Sequence, residues 1–409
     1  MQVPDGWKSG KFYQFVEKIY GGGTPSRDQP KYWNGTIPWV TVKDLTSQKI
    51  HGAQEYITVE GLKESASNIV PAGTVIIATR MAVGKAVIST CDVAINQDLK
   101  AILAGKHTDS VYLHYWMLNN SRKIERMGNG STVKGVQVSD IKSLYIAIPQ
   151  SIKEQQKIAQ ILSTWDKAIE KLEALIAAKQ KRKKALMQQL LTGKKRFAGF
   201  EGKWKKVRLS DLGKCIRGVS YKPNQILNSE TEESIRLLRS TNIQNGNLNN
   251  NGLVIIPSSL VKKSQLLEHG DLVLCMANGS KALVGKSAPF RTNEKIYTVG
   301  AFCAIFRPAK NSNKDLIKFL FESETYSREL KILLSGSSIN NLKGSDVEAI
   351  KMFLPDDNKE QQKIASVLSA ADKEIETHQK QLNTLKQQKK GLMQQLLTGQ
   401  KRVKLEKAA

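Results

Sequence analysis

Two long stretches of the chain carry apolar residues at alternating spacings of four and three positions. In the first stretch they are Ile158, Leu162, Trp165, Ile169, Leu172 and Ile176. In the second stretch they are Ile364, Leu368, Ala371, Ile375, His378, Leu382 and Leu385. This spacing predicts a coiled-coil seam, an interface that each stretch presents to another helix or to a partner. A helix of about 40 residues would be roughly 60 Å long.

The same start and stop signals bound both stretches. Ser151 and Asp357 each stand three residues before a glutamate, which is the spacing of a capping box. Gly193 and Gly399 stand where the helices are expected to stop.

Lysines occupy late seam positions of both helices, at Lys179, Lys183 and Lys389. A polar seam residue lowers stability and often sets register. The alternative is that these lysines extend their charged ends into solvent.

The two helical stretches are copies of one sequence. EQQKIAQILS begins at Glu154 and EQQKIASVLS at Glu360, and MQQLLTG occurs at Met187 and again at Met393. These segments share one offset, and more than half of the aligned positions are identical. The regions before the helices are related only weakly. Two copies of a shared part that carry divergent parts predict a common partner for the helices and different targets for the domains.

The repeat divides the chain into six segments. They are a first variable domain at 1–150, a first helix at 151–193, a linker at 194–203, a second variable domain at 204–356, a second helix at 357–400 and a basic tail at 401–409. The linker can span about 35 Å at most, so the second domain must begin near the far end of the first helix. The second helix must then run back, which predicts an antiparallel coiled coil and a pseudo-two-fold dumbbell. A reader at each end would suit a target split into two half-sites.

Each domain is expected to be mixed α/β (α+β). The strands predicted for the first domain are 74–78, 86–89 and 144–148, with a helix at 110–119. The second domain repeats this order, with strands at 271–275, 301–307 and 350–354 and a helix at 314–322.

The charge balance predicts a polyanionic partner. The 409 residues include 63 Lys and Arg against 37 Asp and Glu, a formal net charge of +26. DNA, RNA and an anionic membrane surface would all satisfy this. The sequence has no long apolar run and no signal-peptide core, so the chain is expected to stay in the cytoplasm. The four cysteines are far apart, as expected of reduced thiols.

Polar loops between the predicted elements are the candidate DNA contacts. Arg suits guanine, Asn and Gln suit adenine, and Ser, Thr and Lys suit phosphate. The candidates in the first domain are Gly23, Thr24, Pro25, Ser26, Lys43, Asp44, Thr79, Arg80, Lys85, Asn96, Gln97, Ser131, Thr132 and Lys134. Those in the second domain are Arg239, Ser240, Thr241, Asn242, Asn278, Ser280, Lys281, Lys286, Ser337, Ser338, Asn340 and Asn341. Ordinary solvated turns have the same composition.

The sequence offers no catalytic or metal site. Gly285-Lys286-Ser287 looks like the end of a phosphate-binding loop, but the required earlier glycine is replaced by Ser280. The five histidines form no metal-spaced pair, and there is no C-x-x-C motif. These absences predict a chain that directs chemistry carried out by other proteins.

The whole pattern resembles the specificity subunits of type I restriction-modification systems. The resemblance rests on two variable domains, each followed by a helix that begins EQQKIA and ends MQQLLTGKKR or MQQLLTGQKR. The segments 21–26, 74–85, 96–97, 130–149 and 203–209 also resemble that family's target-recognition domains. The second domain departs from the GGTPS pattern at 215–223.

The resemblance implies a non-catalytic reader of double-stranded DNA with a bipartite, interrupted target. It further implies two methyltransferase subunits docked on the helices, a restriction and translocase subunit joined through the complex, and helices that act as a ruler for the gap. S-adenosylmethionine, ATP and Mg²⁺ would bind those partners, and no cofactor is expected on this chain.

Three alternatives remain open at this point. The chain could serve a related system whose methylation and cleavage reside on a different partner. It could be a coiled-coil scaffold without a nucleic-acid partner, or an enzyme acting on nucleic acid.

Overall fold

A computed structural model describes residues 3–128, 135–292, 295–335 and 340–405. The chain divides into two compact units. The first unit comprises Met1–Glu173 and Lys380–Ala409, and the second comprises Ala174–Gln379. Each unit therefore combines one variable domain with the beginning of the helix that follows it and the end of the other long helix.

The first unit contains eleven strands and part of each long helix in its described residues. Its strands are β1 (Trp7–Lys11), β2 (Val16–Gly21), β3 (Trp33–Val40), β4 (Lys49–Ile50), β5 (Glu55–Ile57), β6 (Asn68–Val70), β7 (Val75–Ala78), β8 (Ala86–Ser89), β9 (Val93–Ile95), β10 (Leu99–Ala104) and β11 (Tyr145–Pro149). Its helices are α1 (Val59–Lys63), α2 (Ser110–Asn119), α3 (Ser121–Arg126), α4 (Val138–Ser143) and the first part of α5 (Ile152–Leu190). The strands form sheets of order β2-β10-β7-β8-β4, β5-β3-β9-β6 and β1-β11.

The second unit also combines several small sheets with short helices, but its sheets have different numbers of strands. Its strands are β12 (Trp204–Arg208), β13 (Gly213–Arg217), β14 (Ser234–Leu238), β15 (Ile243–Gln244), β16 (Asn247–Leu248), β17 (Val254–Pro257), β18 (Leu272–Cys275), β19 (Ser287–Pro289), β20 (Tyr297–Val299), β21 (Cys303–Pro308) and β22 (Lys351–Pro355). Its helices are α6 (Leu209–Leu212), α7 (Lys314–Phe321), α8 (Glu324–Ser335), α9 (Gly344–Ala349) and the first part of α10 (Asn358–Leu397). The sheets are β13-β21-β18-β19, β17-β14-β20, β15-β16 and β12-β22. The mixed α/β class is confirmed.

The apolar stripes of the long helices serve two purposes, of which the sequence predicted one. Ile158 and Leu162 of α5 are fully buried in the domain core of the first unit, together with Leu396 and Leu397 of α10. In the second unit the equivalent cluster takes Ile364 and Leu368 from α10, with Met187, Leu190 and Leu191 from α5. Trp165, Leu172, Ile375 and Leu385 are only half-buried. The ends of the repeats therefore complete the domain cores, and only their middle parts form a helix-to-helix seam.

Ion pairs show that the two long helices are antiparallel within each unit. In the first unit Asp166 pairs with Lys389, and Glu173, farther along α5, pairs with the earlier Lys386. In the second unit Lys179 Nζ lies 2.5 Å from Glu374 Oε1, whereas Lys183 pairs with the earlier Asp372. Residue numbers fall along one helix as they rise along the other, as the linker length predicted.

The seam lysines are held by carboxylates. Lys389 is buried and its Nζ donates to Asp166 Oδ1 at 2.5 Å. At the equivalent place in the second unit, Lys183 Nζ lies 2.7 Å from Glu322 Oε2 and 2.6 Å from Asp372 Oδ1. Burial alone would lower the pKa of Lys183, but the charges and hydrogen bonds of Glu322 and Asp372 raise it overall. Lys183 therefore remains charged, and both lysines pair with a carboxylate across the seam.

The pKa of Asp372 is shifted in the complementary direction. Burial would raise it, but hydrogen bonds from Lys183 and Lys318 and their charges lower it overall. The stabilisation from this carboxylate is present above the pKa of a free aspartate, about 4, and is lost as the pH falls through the lower folded-state value.

The capping-box prediction is wrong for the two glutamates, whose carboxylates make a different contact. Glu154 is buried and accepts from Arg402 Nε at 2.8 Å and from Nη2 at 2.9 Å. Glu360 accepts in the same way from Arg196, at 2.8 and 2.7 Å. Each arginine comes from the segment that follows the other helical repeat. The first turn of each helix is therefore tied to a distant part of the sequence by a bidentate ion pair.

The predicted stop glycines have a backbone conformation that favours glycine. Gly193 and Gly399 have φ angles of 69° and 72°, in the left-handed region. Lys195 N and Lys401 N then donate to Gln189 O and Gln395 O, both at 3.2 Å. These turns bring Arg196 and Arg402 to the glutamates.

We expect Lys389→Met to lower the free energy of unfolding by about 2–3 kcal/mol, because it leaves the partly buried carboxylate of Asp166 without its cation. Lys386→Met is the matched control. That lysine is one turn away, and its pair with Glu173 is about half exposed on both sides, so the cost should be about 0.5 kcal/mol or less. Urea unfolding of the three proteins measures both values. Equal losses would contradict the assignment of Lys389 to the seam.

We expect Arg402→Ala to destabilise the start of α5, although the two segments are far apart in sequence. The change leaves the buried carboxylate of Glu154 unpaired, and it also removes the bond from Arg402 Nη1 to Asp5 O at 2.6 Å. Hydrogen exchange should accelerate at residues 152–158, with no change at residues 358–364. The neighbouring exposed Lys401→Ala should leave both segments protected. Faster exchange in both helix starts would argue against a local role for Arg402.

Candidate nucleic-acid interface

In the first unit, strand topology collects several of the predicted residues in loops at the ends of strands from two sheets, and these loops form one edge of the unit. Strands β3 and β9 are parallel neighbours, with Trp39 opposite Ala94 and Val40 opposite Ile95. Their carboxyl ends therefore meet, and Asn96 N donates to Val40 O at 3.1 Å. Strands β7 and β10 are antiparallel, so the end of β7 lies beside the start of β10. The segments at 41–44, 79–85 and 96–98 consequently lie close together.

Hydrogen bonds organise these segments into one surface. Thr24 Oγ1 donates to Gln97 Oε1 at 2.6 Å, and both residues are exposed. Thr79 donates twice to Asp98 O, from its backbone N at 2.9 Å and from Oγ1 at 3.1 Å. Asn96 Nδ2 donates to Asp98 Oδ2 at 3.1 Å. The predicted residues Thr24, Thr79, Asn96 and Gln97 therefore belong to one network.

Arg80 carries the exposed positive charge of this edge. Its backbone bridges to Gly135, and its Nε lies 3.9 Å from Asp98 Oδ1. More than half of the side chain, 57%, remains exposed. Lys43 and Lys85 are also exposed. A long side chain held loosely at its base and free at its tip can reach a phosphate or a base edge.

Two residues of this network were not singled out from the sequence. Asp98 accepts from Asn96 and faces Arg80. Lys100 Nζ donates to Gln97 O at 2.8 Å. Burial lowers the pKa of Lys100, Asp98 opposes that shift, and the nearby Arg80 adds to it. Asp98 stands directly before β10 and Lys100 within it, and the sequence pattern predicted no strand here. Their contacts with Asn96, Gln97 and Arg80 place them in the loop network.

Other predicted residues of the first unit form the framework rather than its surface. Gly23 and Pro25 are buried, and Gly23 O accepts from Trp39 Nε1 at 3.0 Å and from Ser67 Oγ at 2.6 Å. A Cβ on Gly23 would lie 2.7 Å from Ala66 Cβ, so the glycine permits close packing. Ser26 is exposed, and its carbonyl accepts from Trp33 Nε1 at 3.0 Å.

The carboxylate of Asp44 closes a turn. It accepts from Thr41 N and from Gln54 N, both at 2.8 Å. This carboxylate shapes the segment that presents Lys43.

In the second unit, three predicted loops meet in a corresponding way. Asn278 Nδ2 donates to Ser240 Oγ at 3.3 Å, and Asn278 N donates to Asn340 O at 3.3 Å. Asn340 Nδ2 donates to Gly279 O at 3.1 Å. The backbone bridge between Ala277 and Asn341 corresponds to the bridge between Arg80 and Gly135 in the first unit. The sequence identified these loops separately, and tertiary structure brings them together.

Asn242 and Lys286 are committed to this framework. Asn242 is fully buried; its Nδ2 donates to Asn249 O and Asn251 O at 3.1 and 2.9 Å, and its Oδ1 accepts from Arg239 N at 2.8 Å. Lys286 Nζ donates to Ile243 O at 2.8 Å. These two side chains shape the loops from inside and are directed away from the surface.

The exposed candidates of the second unit are Arg239, Thr241, Ser280, Lys281 and Asn341. Arg239 Nη2 donates to Gly252 O at 2.9 Å. Five predicted contacts, Ser131, Thr132, Lys134, Ser337 and Ser338, lie outside the described residues.

The segment that looked like a phosphate-binding loop is packed against a helix. Gly285 N donates to Cys275 O at 2.7 Å, and a Cβ on Gly285 would lie 2.3 Å from Leu330 Cδ1. This close packing leaves no room for a phosphate over the glycine.

Burial raises the pKa of the Cys215 and Cys303 thiols to about 12, so both are protonated near neutral pH.

Within the described ranges, no group of three or more His, Cys, Asp or Glu side chains is placed to hold a metal ion. A search of the same residues finds no helix both long enough and apolar enough to cross a bilayer.

Comparison with known proteins identifies one family. The model of the type I restriction modification DNA specificity domain matches residues 4–180 and again 201–387. The StySPI specificity subunit of Salmonella potsdam is 36% identical over 152 residues, which are 37% of this chain and 33% of that protein. The alignment thus spans about a third of that relative. The MjaIX specificity subunit of Methanocaldococcus jannaschii is 26% identical over 438 residues, covering 98% of this chain and 95% of that protein.

Solved structures agree on the fold. The crystal structure of a type I restriction-modification S subunit from M. genitalium matches with a TM-score of 0.60 at 14% identity, over 97% of this chain and 98% of that one.

We expect Asn242→Ala to loosen the loop from 239 to 252 while the rest of the unit stays folded. The change leaves the carbonyls of Asn249 and Asn251 without their donor, at a local cost of about 1–3 kcal/mol. Amide hydrogen exchange across 239–252 should accelerate roughly 10-fold or more. Thr241→Ala, an exposed change in the same loop, should leave exchange unaltered. Unchanged protection in Asn242→Ala would show that the buried amide does not hold the loop.

Proposed function

Because this chain belongs to the family of type I restriction-modification DNA specificity domains, we propose that it directs a methylating and cleaving complex to its DNA target. The chain itself would carry out no chemistry. The observation that most supports this is the gathering of polar loops and exposed cations at one edge of each unit. Arg80, Lys43 and Lys85 stand at the first edge, and Arg239 and Lys281 at the second. A net charge of +26 favours a polyanion on the same chain.

The target is double-stranded DNA with two different half-sites. Each unit has one such edge, and the two edges carry different side chains at corresponding places. Arg80 in the first unit corresponds to Ala277 in the second, as their bridges to Gly135 and Asn341 indicate. Readers with different chemistry select different base sequences. A bipartite, interrupted target follows from two readers on one chain.

The partners are two copies of a methyltransferase subunit, with a restriction and translocase subunit joined through them. The support comes from exposed residues that are identical in the two repeats. Gln156 and Gln362 are exposed at equivalent positions, as are the pairs Gln188 with Gln394 and Gln189 with Gln395. Packing within the units explains the identical buried residues, but it does not require identical exposed glutamines. Two equivalent surfaces suit two copies of one partner.

S-adenosylmethionine, ATP and Mg²⁺ would then bind those partners and not this chain. The complex would act in the cytoplasm, where the chromosome is accessible to it.

Mapping of methylated bases tests the proposal. The chain is expressed with its methyltransferase partner in a host that lacks methylation, and modified adenines are mapped across the genome. We expect one two-part motif with a fixed gap, which disappears when the chain is omitted. No new methylation from well-expressed proteins would contradict the proposal.

An Arg80→Ala arm links the motif to the structure. Because only the first unit changes, the first half of the motif should become degenerate at about one base position while the second half stays intact; a bidentate base contact of this kind is worth about 1–3 kcal/mol. Lys63→Ala changes an exposed lysine on α1; it is the matched control and should leave the motif unaltered.

Binding of DNA by the wild-type complex should fall steeply between 50 and 200 mM salt. The expected loss of affinity is ~10³–10⁵-fold for about 6–10 phosphate contacts.

A further inference from the structure

Two apolar side chains stand out on the edges described above. Met81 and Phe302 are each 71% exposed, the highest values among the large apolar residues that the structure describes. Single exposed apolar residues are common on protein surfaces, so exposure alone means little. Their location is more informative, because one lies on the loop edge of each unit.

Met81 is held outward by a backbone that disfavours it. Its φ angle is 66°, in the left-handed region where residues with a Cβ are rare and where glycine or asparagine is usual. Hydrogen bonds on both sides hold the turn: Ala82 N donates to Arg80 O at 2.8 Å, and Gly84 N donates to Ala78 O at 3.1 Å. Packing does not explain a methionine here, because the side chain points into solvent beside Arg80. A strained residue of this kind indicates a function for its side chain.

Phe302 occupies the place of a charged residue in the other unit. Met276 N donates to Phe302 O at 2.9 Å, and the neighbouring Ala277 bridges to Asn341. In the first unit Thr79 N donates to Asp98 O at 2.9 Å, and the neighbouring Arg80 bridges to Gly135. Asp98 and Phe302 therefore occupy corresponding places in the two frameworks.

The first unit thus has the pair Arg80 and Asp98 where the second has Ala277 and Phe302. The second unit therefore lacks both charges at these places and has an exposed aromatic ring beside the polar loop that contains Asn278. A surface that offers amides, cations and one apolar group suits a base pair in a groove. Base edges present donors and acceptors, while the 5-methyl group of thymine and the face of an opened base step are apolar.

We propose that Met81 and Phe302 are specificity-determining residues, each making the apolar base contact of its own half-site. This inference rests on the proposed DNA-reading function and adds two residues to it. The contact is made either at a thymine methyl group or at the face of a base step.

The principal test is the binding of the methyltransferase complex to duplexes that carry its mapped motif. Phe302→Ala should weaken binding about 10-fold and relax selectivity at one position of the second half-site, with the first half-site unchanged. Ile296→Ala is the control, since Ile296 is 56% exposed and stands just before the start of β20, whereas Phe302 follows the end of that strand. The Ile296→Ala complex should bind DNA as the wild type does.

Modified duplexes then locate the contact. Uracil in place of thymine removes only the methyl group, and 2-aminopurine brightens when a base step opens. If Phe302 contacts a thymine methyl group, uracil at one position of the second half-site should weaken binding by the wild type but not by Phe302→Ala. If it contacts an opened base step, 2-aminopurine at one position of that half-site should brighten with the wild type but not with Phe302→Ala. If neither modification depends on Phe302, the base contact is overturned.

Met81→Gly separates the role of the side chain from folding. Glycine relieves the left-handed backbone, so the thermal midpoint should stay equal or rise, whereas binding to the first half-site should weaken about 10-fold. Asn34→Gly changes another left-handed residue of the first unit and should alter stability without altering binding.

The outcomes distinguish this inference from the proposed function. If Phe302→Ala and Met81→Gly bind like the wild type while Arg80→Ala loses selectivity, the apolar contacts are overturned and DNA reading stands. If the wild-type complex selects no sequence, the proposed function fails first. Loss of complex assembly in Phe302→Ala, with unchanged DNA affinity once assembled, would make the ring a protein contact and overturn the inference.

Discussion

The first turn of each long helix depends on an arginine that follows the other helical repeat. Arg402 forms a bidentate ion pair with Glu154 in the first unit, and Arg196 forms one with Glu360 in the second. Both carboxylates are buried, so neither helix start would be stable with its glutamate unpaired. The glycine turn at the end of each repeat places this arginine beside the glutamate. A folded unit therefore needs the start of one helical repeat and the segment that follows the other, and both repeats keep the glutamate that makes this contact.

The same constraint separates the residues that build the units from those that can read a target. The buried amides and one carboxylate make their hydrogen bonds with loop backbone: Asn96 Oδ1 accepts from Asp98 N, Asn242 Nδ2 donates to Asn249 O, and the Asp44 carboxylate accepts from Thr41 N. This internal satisfaction makes the loops rigid, because each bond that is made inside the loop removes an alternative conformation. Side chains mounted on rigid loops lose little entropy on binding. Under the proposed function, specificity would rest with a small exposed set that includes Arg80 and Arg239.

The corresponding edges of the two units show how one framework supports two different surfaces. Asp98 O and Phe302 O accept corresponding backbone bonds, yet one of these side chains is charged and the other is apolar. The backbone accepts this exchange because both side chains point away from the core. Divergence at such positions costs the fold nothing, whereas a change at Asn242 or Glu154 would leave a buried polar group unsatisfied. The variable and near-identical parts of the chain follow this division.

The sequence by itself determined the large-scale plan. Periodic apolar residues and the ungapped repeat predicted two long helices, and the short linker predicted their antiparallel pairing. Strands such as β7, β8 and β18 were visible as short apolar runs. The motifs at Glu154 and Met187 also carried the family resemblance. These features are local or repetitive, so they can be read without knowing which residues meet.

Tertiary structure alone decided the function of individual side chains. The glutamates at 154 and 360 had the spacing of a capping residue, but the chain brings an arginine to each that no local pattern foretold. Candidate loop residues of one composition divided into buried framework and exposed surface, because strand pairing, and not residue type, determines which side chains turn inward. Asp98, Lys100 and Phe302 were missed for the same reason: their importance arises from neighbours that lie far away in the sequence.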